Sequence, residues 1–418
     1  MIGLVDGNNF FVSCERVFDP SLEGKPVAVL SNNDGCVISR SYELKALDVP
    51  MGTPFFQLRP RIARHGIVVR SSNYELYADL SRRMIAVLHE FAPEVEQYSI
   101  DEAFVEIGFR EGEDCVEFGR RMRAAILAWV GIPCGVGFAP TKTLAKIANH
   151  VGKKTPGGVF AMPADPAPLL DGLPVREVWG IGRRLAPKLE ARGIRDALAL
   201  SLADERALRA EFGINVARTA RELRGEPVVD RPEPDPESRS VTSSRSFGRP
   251  VTELSELEES VAQHLGEAAA RLRAMRLKAS AANVFFQRCP DRGALPPDGG
   301  FSAATVAFER PCSSTLGLIA AVRPRLKSLF RPGERYRKTG VTLLGLEGDE
   351  GAQTDLFADS GRDDRSDRLA EAMDRINGRF GKGTLFSPAE GIAKPWAAKR
   401  EFLSPCRTTR WDQLLEVR

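Results

Sequence analysis

At 418 residues with 43% hydrophobic side chains, the chain is long enough for about two to four domains, each burying its own core. Lys and Arg number 59 against 56 Asp and Glu, a formal charge of +3, so bulk charge announces no nucleic-acid partner. The 7 cysteines form no C-x-x-C pair and the 4 histidines stand apart from them, which excludes a zinc framework and a disulfide scaffold. No basic leader precedes the first apolar residues, and no apolar run nears the ~18 residues of a membrane helix, so the sequence reads as a soluble, cytoplasmic protein.

In chain order, residues 2–5 predict a short strand ending at Asp6, Gly7-Asn8-Asn9 a turn, and residues 10–17 the start of a helix. Residues 27–31 and 36–39 predict a hairpin about Asn33-Asp34-Gly35, with positive φ expected at Asp34 and Gly35. Ser41 caps a short helix to Leu47, and residues 84–91 form an amphipathic helix. Residues 95–100 and 103–107 read as strands with Asp101-Glu102 between them. A helix over 118–130, a strand over 134–138 and a helix over 143–150 complete an α+β sheet domain rather than a regular βαβ array. Gly157-Gly158 and residues 162–168 mark a boundary, and residues 173–223 form a small all-α domain. Residues 231–238, where Pro232, Pro234 and Pro236 alternate with acids, predict an extended tether. A third, α+β domain follows: helix 254–276, strands 281–287 and 303–308, helix 316–330 and strand 340–344. Beyond Gly345 the chain turns polar except for Leu356-Phe357. Leu369, Met373, Ile376 and Phe380 then recur at helical spacing, with Trp396, Phe402 and Trp411 as later anchors.

Three acids stand out. Asp6 ends an apolar strand, and Asp101 and Glu102 adjoin between two apolar segments, where like charges repel unless a cation is present. Solvated turns explain one such acid. Three explain better as a two-metal site, in which shared carboxylates hold ions that activate a hydroxyl and grip a triphosphate. Phe11, five residues after Asp6, is placed to wall off a sugar 2′-OH; Tyr42 and Lys45 on the short helix, and Lys146 on the helix after Thr141, suit an anionic triphosphate.

Val5-Asp6-Gly7-Asn8-Asn9-Phe10-Phe11, Tyr98-Ser99-Ile100-Asp101-Glu102-Ala103 and Leu144-Ala145-Lys146-Ile147-Ala148 resemble the palm motifs of Y-family DNA polymerases. Ser31-Asn32-Asn33-Asp34-Gly35-Cys36-Val37-Ile38-Ser39-Arg40-Ser41 and Ser71-Ser72-Asn73-Tyr74-Glu75-Leu76-Tyr77 resemble the UmuC subfamily, the catalytic subunit of bacterial polymerase V. The resemblance runs in order over essentially the whole chain. It implies an α+β multidomain right-hand polymerase. Palm and fingers span 1–165, with a ferredoxin-like palm and small fingers at about 19–70. An all-α thumb with a helix-hairpin-helix spans 166–230, a tether 231–239, an α+β little finger 240–346 and a C-terminal tail 347–418.

The resemblance implies an error-prone, DNA-directed DNA polymerase for translesion synthesis in the SOS response, without proofreading. Two Mg²⁺ ions would be held by Asp6, Asp101, Glu102 and the backbone carbonyl of Gly7. Phe11 would be the sugar gate, where tyrosine is common, and Tyr42, Lys45 and Lys146 would contact the triphosphate. Lys45 stands where many members carry arginine, and lysine is only a point charge there.

Val178-Trp179-Gly180-Ile181-Gly182 followed by Arg183 and Arg184 resembles a helix-hairpin-helix that meets DNA phosphates through backbone amides. Arg245, in Ser243-Ser244-Arg245-Ser246-Phe247-Gly248, and the basic stretch from Arg323 to Lys338 add phosphate contacts. Gln353-Thr354-Asp355-Leu356-Phe357 resembles the sliding-clamp-binding pentapeptide, with Gln353, Leu356 and Phe357 as its contacts. The tail reads either as a helical unit folded back on its own chain or as a docking module, since UmuC-type enzymes act with a UmuD′-type dimer and a RecA filament. The partners implied are therefore primer–template DNA, dNTP, clamp, UmuD′ and RecA, with no membrane. The alternatives are a DinB-type, polymerase IV-like enzyme, a palm-fold nucleotidyl cyclase, or a relative that has lost its chemistry.

Overall fold

The computed structural model describes residues 1–110, 112–229, 240–290, 299–348 and 360–416. They divide into two units, one of Met1–Ser31, Cys36–Glu233 and Phe402–Arg418, the other of Asn32–Gly35 and Pro234–Glu401. The expected tether at 231–238 and the pentapeptide from Gln353 to Phe357 lie outside the described residues.

In the first unit, β1 (Ile2–Gly7) leads into α1 (Phe10–Phe18), and β2 (Val27–Leu30), β3 (Val37–Arg40) and α2 (Tyr42–Lys45) follow. Next come α3 (Phe55–His65), β4 (Val68–Ser71), α4 (Tyr74–His89), β5 (Glu94–Gln97), β6 (Glu102–Glu106) and α5 (Cys115–Val130). β7 (Cys134–Ala139), α6 (Lys142–Gly152) and β8 (Val159–Ala161) complete a five-stranded sheet in the order β5-β6-β1-β7-β8. β1 is antiparallel to both neighbours, whereas β7 and β8 run parallel. Alternation along β1 sends Val5 into one core with Phe10, Tyr77, Met84 and Ile126, and Leu4 into another with Phe104, Leu144 and Ile147. The sheet is thus covered on both faces. A smaller sheet, β3-β2-β4, has its own core of Leu30, Val37, Leu44 and Leu58, against which Phe402 packs.

Three local expectations are corrected. Positive φ falls on Asn33 and Asp34 (60° and 50°), because a short 3-10 turn, not a two-residue Asp-Gly hairpin, joins β2 to β3. β5 stops at Gln97, since the amides of Tyr98 and Ser99 both turn onto the carbonyl of Glu102 at 3.0 Å. The helix expected over 84–91 begins at Tyr74, where the Asn73 side chain accepts from the Leu76 amide.

Helices α7 (Ala167–Leu170), α8 (Ala186–Ala191), α9 (Ala197–Leu202), α10 (Glu205–Phe212) and α11 (Ile214–Leu223) make the all-α part. Only Gly180 of the Gly-x-Gly turn needs positive φ (87°), and the segment ahead of it is a three-residue 3-10 turn rather than a helix. Buried Glu222 ties this part to the sheet, accepting from the amides of Thr143, Val228 and Val229.

In the second unit, β9 (Ser240–Val251), α12 (Leu254–Ala274), β10 (Leu277–Arg288), β11 (Phe301–Cys312), α13 (Thr315–Leu329), β12 (Tyr336–Gly348) and α14 (Ser360–Phe380) follow in order. The antiparallel sheet β11-β10-β12-β9 carries α12 and α13 over a core of Leu257, Leu265, Phe286, Leu318, Tyr336 and Leu343. The tail folds back onto this unit: Asp374 of α14 pairs with Arg273 at 2.6 Å, and Trp396 is buried against Phe247. Trp411, in the part of the tail that belongs to the first unit, is 90% exposed.

Candidate active site

Strand register builds the site. β1 and β6 pair with Asp6 opposite Glu102, and the Gly7 amide donates to the Asp101 carbonyl at 2.8 Å. The three acids therefore stand together at the ends of two adjacent strands. Ser99 orients the second of them. Its hydroxyl accepts from the amides of Asp101 and Glu102 at 3.2 and 3.0 Å and donates to Asp101 Oδ1 at 2.6 Å.

Burial pushes the Asp6 carboxyl up to about 6, against the charge and hydrogen bond of Lys153, with Glu102 and Asp101 raising it further. An acid so placed calls for a cation. Lys153 Nζ lies 2.6 Å from Asp6 Oδ2, and Lys146 Nζ lies 2.9 and 3.0 Å from the two oxygens of Glu102. Lys146 also sits over the rings of Tyr98 (4.4 Å) and Trp179 (5.4 Å), and Trp179 Nε1 donates to the Tyr98 hydroxyl at 3.0 Å. Both lysines reach the acids because α6 lies almost on β7. A Cβ on Gly137 would stand 2.1 Å from the Asn149 amide nitrogen. Asn149 Nδ2 in turn donates to the Leu4 carbonyl at 3.2 Å, fixing α6 to β1 as well.

On the other side, Lys45 Nζ reaches Asn9 Oδ1 at 2.5 Å and lies 4.8 Å from the ring of exposed Tyr42. Burial lowers the Lys45 pKa, Arg40 and Lys153 add to this, and Asp6 opposes it. Phe11, on the first turn of α1, is half-buried against the core of the sheet. Asp6, Gly7, Asp101, Glu102 and Lys146 are thus one cluster, with Lys45 in its field. Gly180, Gly182, Arg183 and Arg184 are all exposed on the all-α part. Arg245 of β9 lies in the second unit, its guanidinium 3.3 Å from Glu267.

Lys153 and Ser99 were not anticipated from sequence. Lys153 follows Lys146 by seven residues, the spacing that keeps two side chains on one helix face, and that spacing was the available signal. Among the described residues no three Asp, Glu, His or Cys side chains are arranged to hold a metal ion as they stand. The donor set nevertheless suits a hard cation. It offers carboxylate oxygens on adjacent strand ends, two of the acids now neutralised by ammonium groups that an ion would replace.

The chain matches the impB/mucB/samB family over residues 5–150 and the C-terminal domain of that family over 238–356. An IMS family HHH motif matches 163–194, and a domain of unknown function (DUF4113) matches 367–417. Protein UmuC of Salmonella typhimurium strain LT2 is 42% identical over 424 residues, covering 100% of both chains. The chain belongs to the UmuC family of Y-family DNA polymerases. MucB of Escherichia coli is 40% identical over 99% of both chains. DNA polymerase IV of Desulfatibacillum aliphaticivorans is more distant at 30%, covering 91% of this chain and 94% of its own, so the UmuC reading stands over the polymerase IV-like one. A Y-family DNA polymerase chimera of Dbh and Dpo4 shares the fold, with TM-score 0.65 and 22% identity over 83% of this chain and 100% of the other. The insertion ternary complex of Dbh DNA polymerase does so with TM-score 0.55 and 22% identity over 82% and 98%. This UmuC-family chain is a translesion DNA polymerase, a DNA-directed DNA polymerase of a metal-dependent nucleotidyltransferase family, and the cyclase alternative falls. No helix among the described residues is long and apolar enough to cross a membrane.

Proposed function

We propose that the enzyme extends a primer 3′-OH by two-metal-ion nucleotidyl transfer, with Asp6, Asp101, Glu102 and the Gly7 carbonyl holding two Mg²⁺ ions. The observation that carries this reading is the pairing of Asp6 with Glu102 across β1 and β6, with Asp101 on the adjoining turn. Bound Mg²⁺ would lower the pKa of the attacking hydroxyl and neutralise the leaving pyrophosphate. The chain's own residues do the rest. Ser99 fixes the angle of Asp101, and Lys146 and Lys153 keep the acids charged until cations replace them. Lys45, Tyr42 and Lys146 contact the triphosphate, and the Phe11 ring excludes a 2′-OH.

The Gly180–Gly182 turn with Arg183 and Arg184, together with Arg245 and the basic stretch at 323–338, grips primer–template phosphates without reading sequence. Gln353, Leu356 and Phe357 bind the sliding clamp. The exposed Trp411 (90%) favours the end of the tail as the surface for a UmuD′-type dimer and a RecA filament. The setting is the SOS response in the cytoplasm, with synthesis that lacks proofreading.

Chelation of divalent cations should stop primer extension and added Mg²⁺ should restore it. Glu102→Gln should lower insertion by about a thousandfold, roughly 4 kcal/mol, while DNA binding persists. Undiminished extension in the presence of chelator would refute the metal site.

A further inference from the structure

Phe11 is backed by a chain of contacts that ends in the last residues of the protein. Its ring stacks on Tyr77, centroids 4.6 Å apart and planes 15° apart, and meets the edge of Tyr74 at 5.9 Å. Tyr77 is fully buried, and its hydroxyl donates to Glu15 Oε1 at 2.7 Å. Glu15 stands one helical turn beyond Phe11 on α1 and is itself buried. Arg70 lies 3.9 Å from its other oxygen, so hydroxyl donors are its closest partners. The second of these is the hydroxyl of Ser404, 389 positions away in sequence and 3.0 Å from the same Oε1.

The segment that carries Ser404 also grips the start of α4. Asn73, the cap of that helix, donates through Nδ2 to the Ser404 carbonyl at 3.1 Å and to its hydroxyl at 3.0 Å. Cys406 Sγ lies 3.6 Å from Asn73 Oδ1. One step earlier, the Ser71 amide donates to the Phe402 carbonyl, and the Phe402 amide to the Ser71 hydroxyl, both at 3.0 Å. The Phe402 ring meets Phe55 at 5.4 Å. Residues 402–406 therefore lie along β4 and the first turn of α4, the turn whose tyrosines support Phe11.

We propose that residues 402–406 form a strap that fixes the sugar gate, and that Ser404 and Tyr77 are positioning residues setting the choice between deoxyribo- and ribonucleotides. The proposal rests on Phe11 being the gate. A ring excludes a 2′-OH only if it cannot retreat. On the first turn of a helix an unsupported phenylalanine can rotate between staggered wells, each within reach of thermal energy. Stacking on Tyr77 closes one route of escape, and Tyr77 can yield only by breaking its bond to a buried carboxylate that Ser404 also holds. Loss of the strap hydroxyl leaves Glu15 with one donor fewer and Asn73 without one of its tail partners. Both effects loosen the support and neither touches a reacting group. The strap lies within the stretch matching a domain of unknown function, and it gives the end of that domain a role inside the polymerase unit.

The test is steady-state insertion of a deoxyribonucleotide and its ribonucleotide by the full chain, comparing wild type, Phe11→Ala, Tyr77→Phe, Ser404→Ala and Ser404→Thr. Phe11→Ala should lose ~10–200-fold of discrimination, and Tyr77→Phe and Ser404→Ala about tenfold of that. The loss should appear as a lower ribonucleotide KM, and Ser404→Thr, which keeps the hydroxyl, should restore the ratio. A merely structural role would lower kcat for both nucleotides together and leave the ratio unmoved. Loss of discrimination in Phe11→Ala with wild-type ratios in Tyr77→Phe and Ser404→Ala overturns the strap and keeps the gate. A wild-type ratio in Phe11→Ala overturns both.

Discussion

His264 shows how one residue can set the acid limit of a unit. It is buried in α12, and its Nδ1 lies 3.0 Å from the Ser243 hydroxyl. That hydroxyl donates its single proton to Glu267 at 3.1 Å, so the imidazole Nδ1 carries a proton and donates to Ser243, and Nε2 is left without a partner. Burial pushes the pKa of His264 down to about 4, with Glu267 opposing and Arg245, Lys338 and Arg271 reinforcing. The unfolded chain, near 6.5, then binds the proton more readily than the folded one. Stability is complete above about pH 6.5 and falls as pH drops toward 4, by on the order of 2–3 kcal/mol. His264→Gln should flatten the fall in melting temperature between those limits. An unchanged profile would mean that other groups set it.

At the scale of elements, the close approach of α6 to β7 is what delivers Lys146 and Lys153 to the acids. Gly137→Ala would place a methyl group against the backbone at Asn149 and push the helix away. A cost of roughly 2–4 kcal/mol in stability is expected, with a larger fractional loss of insertion than of DNA binding. A variant with full stability and activity would show that α6 has room to move. The strands and helices that frame the acids were legible because apolar runs end abruptly at Asp6 and resume after Glu102. β9 was not, since Ser240–Val251 is rich in serine and lies at a sheet edge, where partner strands and not its own residues give it order. β8 is three residues long, and α3 has Pro60 inside it, so neither shows a period. The Glu15–Tyr77–Ser404 network was invisible for a different reason. Each of its members is unremarkable locally, and only the fold brings a tail residue onto α1.

For the whole molecule, the tail proves to be two things. Trp396 belongs to the core of the second unit, while residues 402–406 pack within the first. A short segment cannot bury two tryptophans alone, and its own chain accordingly buries one and leaves Trp411 exposed. Deleting everything after Ser360 would therefore disturb both units, so point substitutions are the better probe. Leu356→Ala with Phe357→Ala should leave basal extension unchanged and abolish stimulation by the sliding clamp. Full stimulation of the double variant would make the pentapeptide a chance match.

Catalysis stands or falls with the three acids. Primer extension opposite a damaged template base, measured for Asp101→Asn beside the wild-type chain in Mg²⁺, tests them most directly. The variant should bind primer–template as tightly as wild type and insert nucleotides about a thousandfold more slowly or not at all. Insertion at the wild-type rate would contradict the assignment of Asp6, Asp101 and Glu102 as the catalytic centre.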